Sequence, residues 1–331
     1  MGAPRCIYAA AVALAASSAS AGSENAAPFE LIAVVPLPGV HGRFDHFACD
    51  VPGQRLFVAA LGNNTLEVID LEHASHLRSI PDLHQPTGVL FRSRPAQVYV
   101  ANGDEGSLRA YRTDNFAMVS RLTGLDEADN LRFDASAGQV YVGYGGGALA
   151  VVDSALAHVV ATIALPGHPE SFQLEEHGKR VFVNVPDAHE VVVVDRAERR
   201  AMAHWPLGKF ADNYPMALDE AAHRLFVGCR NPPRLVVLDT ESGRIVADIA
   251  ISGDADDIFC DLRRHRLYIS CGEGFLDSVE LDAHDRYWRV GRQPTREGAR
   301  TSLFVPQVDF LFLAVPKRGK QDAEIRVYRP R

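Results

Sequence analysis

Short apolar stretches separated by Gly, Pro, Asn and Asp run the length of the chain, and one of them recurs. A triplet of aliphatic, aromatic and aliphatic residues appears as Leu56-Phe57-Val58, Val98-Tyr99-Val100, Val140-Tyr141-Val142, Val181-Phe182-Val183, Leu225-Phe226-Val227, Leu267-Tyr268-Ile269 and Leu311-Phe312-Leu313. The intervals between their first residues are 42, 42, 41, 44, 42 and 44. Seven positions before each triplet stands a further apolar residue, in turn Cys49, Phe91, Phe133, Leu174, Leu218, Cys260 and Phe304. About ten positions after a triplet comes another β-type run, such as Leu66 to Asp70, Leu149 to Asp153, Val191 to Asp195 or Leu235 to Asp239. A last one follows, as in Val159 to Ile163 or Ile245 to Ile249. Each unit therefore holds four short strands rich in β-branched and aromatic residues.

Four strands in roughly forty residues, repeated at a fixed period, are the signature of propeller blades. Seven of them close into a ring that leaves only short edges exposed. The predicted fold is all-β, a seven-bladed β-propeller. The last unit stops after its third strand, Ile325 to Tyr328, while an extra strand, Leu31 to Val35, precedes the first unit. The N-terminal strand is therefore expected to supply the outer strand of the last blade. Residues 22–331 then form one domain, although a length of 331 residues alone suggests two.

The run Arg234 to Ile249, followed after a polar loop by Leu267-Tyr268-Ile269-Ser270, resembles the YVTN-repeat propellers and their YncE-like periplasmic relatives. Val98-Tyr99-Val100-Ala101-Asn102 comes close to the tetrapeptide that names them. The resemblance covers essentially the whole chain after its leader. Tyr111-Arg112 and Tyr328-Arg329 depart from it, standing where the pattern ends the third strand on Val-Asp. It implies a propeller fold and says little about activity, since such propellers serve as binding modules, surface proteins and domains attached to enzymes.

Residues 1–21 carry Arg5, an apolar run from Ile7 to Ala16 and small residues ending in Ala19-Ser20-Ala21, the layout of a secretory leader with its cleavage site. The apolar run is too short to span a bilayer, and no later segment is apolar enough for a transmembrane helix. A periplasmic or secreted protein beginning near Gly22 is expected. Such a compartment permits disulfides, and Cys49, Cys229, Cys260 and Cys271 are even in number. Against pairing, Cys49 and Cys260 stand where other units place Leu or Phe, which favours buried thiols acting as small hydrophobes.

Composition adds a sign. Lys and Arg number 34 against 42 Asp and Glu, a net charge of −8, which speaks against a nucleic-acid binder. The acids are unevenly spread. The first strand of a blade lines the central channel, so aligning the units on the apolar anchor aligns the channel mouth. Four positions before the anchor stand Asp45, Thr87, Asp129, Glu170, Tyr214, Asp256 and Arg300; six before it stand Arg43, Gln85, Glu127, His168, Asp212, Asp254 and Gly298. Three before it stand His46, Gly88, Asn130, Ser171, Pro215, Asp257 and Thr301. Seven of the fourteen residues in the first two rows are acidic, where 42 in 331 would give about two.

An acidic mouth is expected, with imidazoles from His46 and His168 and, nearby, His41 and His84. Clustered carboxylates ionise together only at a cost that a cation relieves. Carboxylates alone suit Ca, and added imidazoles favour Zn or Cu. The candidate metal ligands are His41, Asp45, His46, His84 and His168; the candidate ligand-binding residues are Arg43, Asp129, Glu170, Asp212, Tyr214, Asp256 and Arg300. Within the dense cluster His41 to His46, the catalytic candidates are His46 as ligand or general base, Arg43 as holder of a substrate carboxylate, and Asp45. Two blander accounts compete: Asp side chains in turns bond local backbone, and Arg43 can simply pair with Asp45.

The glycine run Gly143 to Gly147 lacks the Lys-Ser/Thr ending of a phosphate loop and reads as a hairpin turn. Three functions stay open. The mouth binds a metal ion, small molecule or protein partner; or it is the funnel of a metal-dependent lyase, lactonase or other hydrolase, or oxidoreductase; or the chain is an interaction scaffold presenting its loops. A monomer is expected.

Overall fold

The computed structural model describes residues 27–282 and 284–331, and among them the strands form seven four-stranded antiparallel sheets. The first blade runs outward from the channel through Phe47–Asp50, Arg55–Ala60, Thr65–Asp70 and Ser75–Ile80. Five blades repeat that order, which makes the protein a seven-bladed β-propeller. In the seventh, Ser302–Val305, Phe310–Val315 and Ala323–Pro330 are joined by the N-terminal strand Phe29–Leu37. That strand pairs from Phe29 opposite Pro330 to Leu37 opposite Ala323, closing the ring as expected. At the inner side of the same seam Thr301 Oγ1 donates to the Phe44 carbonyl at 3.1 Å. The leader expected over residues 1–21 lies outside the described residues. No described helix is long and apolar enough to cross a membrane.

The recurrent triplet is the joint between blades. Side chains alternate across a strand, so its aromatic residue and its two aliphatic neighbours face opposite blades. Phe57 packs with Val89, Val98 and Val100 of blade two, while Leu56 and Val58 pack with Phe310, Phe312 and Val35 of blade seven. Tyr99 likewise faces Val140 and Val142 of blade three, and Tyr268 faces Leu311 and Leu313 of blade seven. All seven aromatics are at most 2% exposed. Each is worth about 1.5–3 kcal/mol of burial, and the aliphatic, aromatic, aliphatic order is what a blade needs to grip both neighbours.

All four described cysteines are free, Cys229 and Cys271 buried, Cys49 and Cys260 half-buried. Burial pushes the Cys49 and Cys229 thiols up to about 12, so both stay protonated. Gly143 to Gly147 joins the strands Gln139–Tyr144 and Ala148–Asp153, the hairpin turn that its sequence suggests.

Candidate functional site

One backbone device builds the channel mouth. In blade one Asp45 N–H donates to Ala59 O and Ala59 N–H donates to His46 O; the pairs Asp129 and Asn130 against Gly143, and Glu170 and Ser171 against Asn184, repeat this at 2.9–3.0 Å. Two residues facing one is a β-bulge, which bends the strand and re-aims its side chains. Pairing also skips at this level between Pro86 and Val89, Asn213 and Met216, and Ala255 and Asp257. The approach is close: a Cβ on Gly88 of blade two would collide with the Asp129 carbonyl oxygen, so glycine there lets the loop carrying Asp129 settle against it.

The bulge turns the row four before the anchor into the channel. Asp45, Asp129, Glu170, Tyr214, Asp256 and Arg300 line one cavity of about 280 Å³, and Thr87 lines an adjoining recess of about 530 Å³ with Glu127 and His168. Most of the row six before the anchor serves the chain as well. Gln85, Glu127, Asp212, Asp254 and Gly298 have φ of 50°, 53°, 55°, 55° and 82°, the left-handed region that Gly and Asp tolerate best. Turn chemistry thus accounts for much of the acid excess in that row.

The charges around the cavity sort into two groups. On one side Arg300 Nη1 lies 2.8 and 2.9 Å from the Asp254 oxygens and its Nε 3.3 Å from Asp256 Oδ2. Arg230 Nε lies 3.2 Å from Asp254 Oδ1, its Nη2 donates to Asp256, and its guanidinium sits 4.0 Å over the Tyr214 ring. Two guanidiniums and two carboxylates balance one another there.

On the other side imidazoles meet carboxylates. His46 Nε2 lies 3.6 Å from Asp45 Oδ1 and 3.8 Å from Asp129 Oδ1; His168 Nε2 lies 4.0 Å from Asp129 Oδ2. The donor atoms of Asp45, His46 and Asp129 fall within 4.8 Å of one another, and so do those of Asp129, His168 and Glu170. Asp129 belongs to both sets, and its Oδ1 is buried without a hydrogen-bond partner. His168 Nδ1 lies 2.7 Å from the Gly145 carbonyl, which can only accept. Nδ1 therefore carries a proton, and Nε2 is the nitrogen left facing Asp129, the orientation seen in metal-ligating histidines.

Crowding shows in the acidities. Burial, and then Asp129 and Asp256, hold the Asp45 carboxyl well above the usual range. Burial and the Asp129 charge push Glu170 up to about 8. Asp257, whose Oδ2 accepts the Ser302 N–H at 2.7 Å, is pushed by burial to about 8. The Asp129 carboxylate beside His168 raises that imidazole to about 9. Around neutral pH Glu170 and His168 hold protons where a cation could sit.

Three of the remaining sequence candidates fall elsewhere. His41 is exposed, its Nδ1 3.3 Å from the Gly39 carbonyl, and His84 is exposed; neither lines the cavity. Asp212 occupies a backbone bend outside the cavity lining. Arg43 is at the rim, 57% exposed, and pairs with Asp45 at 3.5 Å. Arg230 was out of reach of the alignment because it comes from the end of a second strand, Arg224–Asn231. Arg132, also in the lining, stands one before its anchor. Reading that row would have found it: Ala48, Leu90, Arg132, Gln173, Ala217, Phe259 and Leu303 contain one charge.

No family model matches the chain, and no curated protein matches it. Among solved structures it is similar to a chain of hydrazine synthase from Kuenenia stuttgartiensis, with 15% identity, a TM-score of 0.75, and coverage of 86% of this chain and 99% of that one. It is similar also to a chain of a mitotic checkpoint complex, with 14% identity, a TM-score of 0.75, and coverage of 97% and 98% respectively. At such identities the likeness establishes the fold, a seven-bladed β-propeller.

Proposed function

We propose that this protein is an exported, YVTN/YncE-like propeller that binds one divalent cation at its channel mouth through Asp45, His46, Asp129, His168 and Glu170. The observation that carries this reading is Asp129: a carboxylate between two imidazoles, shared by both ligand sets, with a buried oxygen that no hydrogen bond satisfies. A buried acceptor left without a partner costs about 1–3 kcal/mol, and a cation at that point removes the cost while letting the neighbouring acids ionise. The mixed imidazole and carboxylate set favours Zn or Cu(II) over Ca. Asp254 and Asp256 are already neutralised by Arg230 and Arg300 and stand outside the ligand set.

The test is calorimetric titration of chelator-stripped protein with Zn, Cu(II) and Ca salts. One saturable site is expected, tighter for Zn or Cu than for Ca. Loss of an outer partner of a metal ligand already costs 10–100-fold, so Asp129→Asn, nearly isosteric, should weaken binding about 100-fold or more, and Asp256→Asn by only a few fold. Absence of saturable binding for all three ions, or equal affinity in wild type and Asp129→Asn, sinks the reading.

A further inference from the structure

We infer that Arg132, one level below the mouth, is the anchor of a second subsite in the channel, which takes the carboxylate of a small organic acid. Arg132 lies on the inner strand Leu131–Asp134 and lines the same cavity. Its row in the other blades reads Ala48, Leu90, Gln173, Ala217, Phe259 and Leu303, so one positive charge meets an otherwise uncharged ring. The other cavity arginines, Arg43, Arg230 and Arg300, each have a carboxylate within 4.0 Å, and Arg132 has none among the described residues.

Its bonds leave the useful edge of the guanidinium free. Nη1 donates to the Leu131 carbonyl at 2.8 Å and to Asn130 Oδ1 at 3.3 Å, and the group lies 5.5 Å over the Phe172 ring. Nε and Nη2 have no protein acceptor among the described residues. Those two donors form the fork that grips a carboxylate with two parallel bonds. A guanidinium kept half-buried with no carboxylate in contact is the complement of an anion that arrives from outside. Burial also draws its pKa down, which is the same demand for negative charge.

Size and surroundings narrow the class. A volume of about 280 Å³ corresponds to roughly nine waters. Phe259, Ile258 and Met216 supply apolar lining to the same cavity. Asp129 acts on Arg132 through space, and Asp257 does so once ionised, so a single added negative charge is accommodated better than two. A short aliphatic or aromatic monocarboxylate meets all three conditions. The subsite rests on the guanidinium and not on the cation reading, and metal-free protein tests it alone.

The experiment is titration of chelator-stripped protein with butyrate, with butyramide as its uncharged isostere and with inorganic phosphate. Butyrate is expected to saturate one site in wild type, butyramide to bind at least about 10-fold more weakly, and Arg132→Gln to lose about 10-fold or more while Arg132→Lys loses less. Phosphate at pH 8, mostly dianionic, should bind more weakly than butyrate. Equal binding of butyrate and butyramide by wild type overturns the subsite without any variant. So does undiminished butyrate binding by Arg132→Gln, or no butyrate binding at all. Tighter binding of phosphate overturns the carboxylate class. A lowered melting temperature of Arg132→Gln would give the arginine a structural role instead, balancing Asp129 and Asp257.

Discussion

Asp257 allows the electrostatics of the channel to be measured without any ligand. Burial lifts its carboxyl from an ordinary 3.8 to about 8 in the folded chain. Between those values the folded state keeps a proton that the unfolded chain has released. Stability must therefore fall as pH rises through that window and level off above it. Asp257→Asn removes the titration while keeping an oxygen for the Ser302 N–H. Between pH 5 and pH 8 the ceiling is three pH units at 1.36 kcal/mol each, about 4 kcal/mol. The carboxyl is half-buried beside a water-accessible channel, so screening reduces this to ~2 kcal/mol. Asp257→Asn should thus gain ~2 kcal/mol on wild type between pH 5 and pH 8. That gain corresponds to roughly 4 °C in melting temperature for a chain of this size. The assay is urea unfolding with chelator present, at pH 5, 6, 7 and 8. Parallel pH curves for the two proteins would refute the argument, and so would a gap that widens towards low pH.

Two further expectations concern how the mouth is held. Gly88→Ala places a methyl group against the Asp129 carbonyl. It should displace that loop and weaken cation binding about 10-fold or more with the fold retained, which circular dichroism and calorimetry read together. Val35→Asp puts a carboxylate into the 1%-exposed seam where the first strand meets the last. A loss above ~3 kcal/mol is expected in urea titration; a loss under 1 kcal/mol would mean that the ring does not depend on that strand.

Much of this was readable from the chain. The triplet spacing defined the blades because each blade must present an aromatic to one neighbour and aliphatics to the other, a demand local enough to recur in sequence. The constant offset to the anchor likewise picked out a row of seven residues, six of which line the cavity. What escaped were contacts made by residues outside that alignment. Nothing about Asp254 and Asp256 reveals that Arg230, from another blade's second strand, neutralises them. His41 and His84 lie near the right loops in sequence, yet neither lines the cavity. The row holding Asp212 proved to answer to backbone conformation, because a left-handed residue is needed there in five blades.

Thr301 joins Phe44 across the seam, and Asp45 is the next residue. The proposed cation ligands extend from Asp45 to Glu170, 125 positions apart and drawn from three blades. A chain in which blade one has not packed on blades three and four by way of blade two cannot assemble them. Metal content, measured per mole of chain, would then serve as a head count of molecules in which those four blades are folded together. Every kilocalorie of binding would oppose separation of those blades rather than fraying of a single strand.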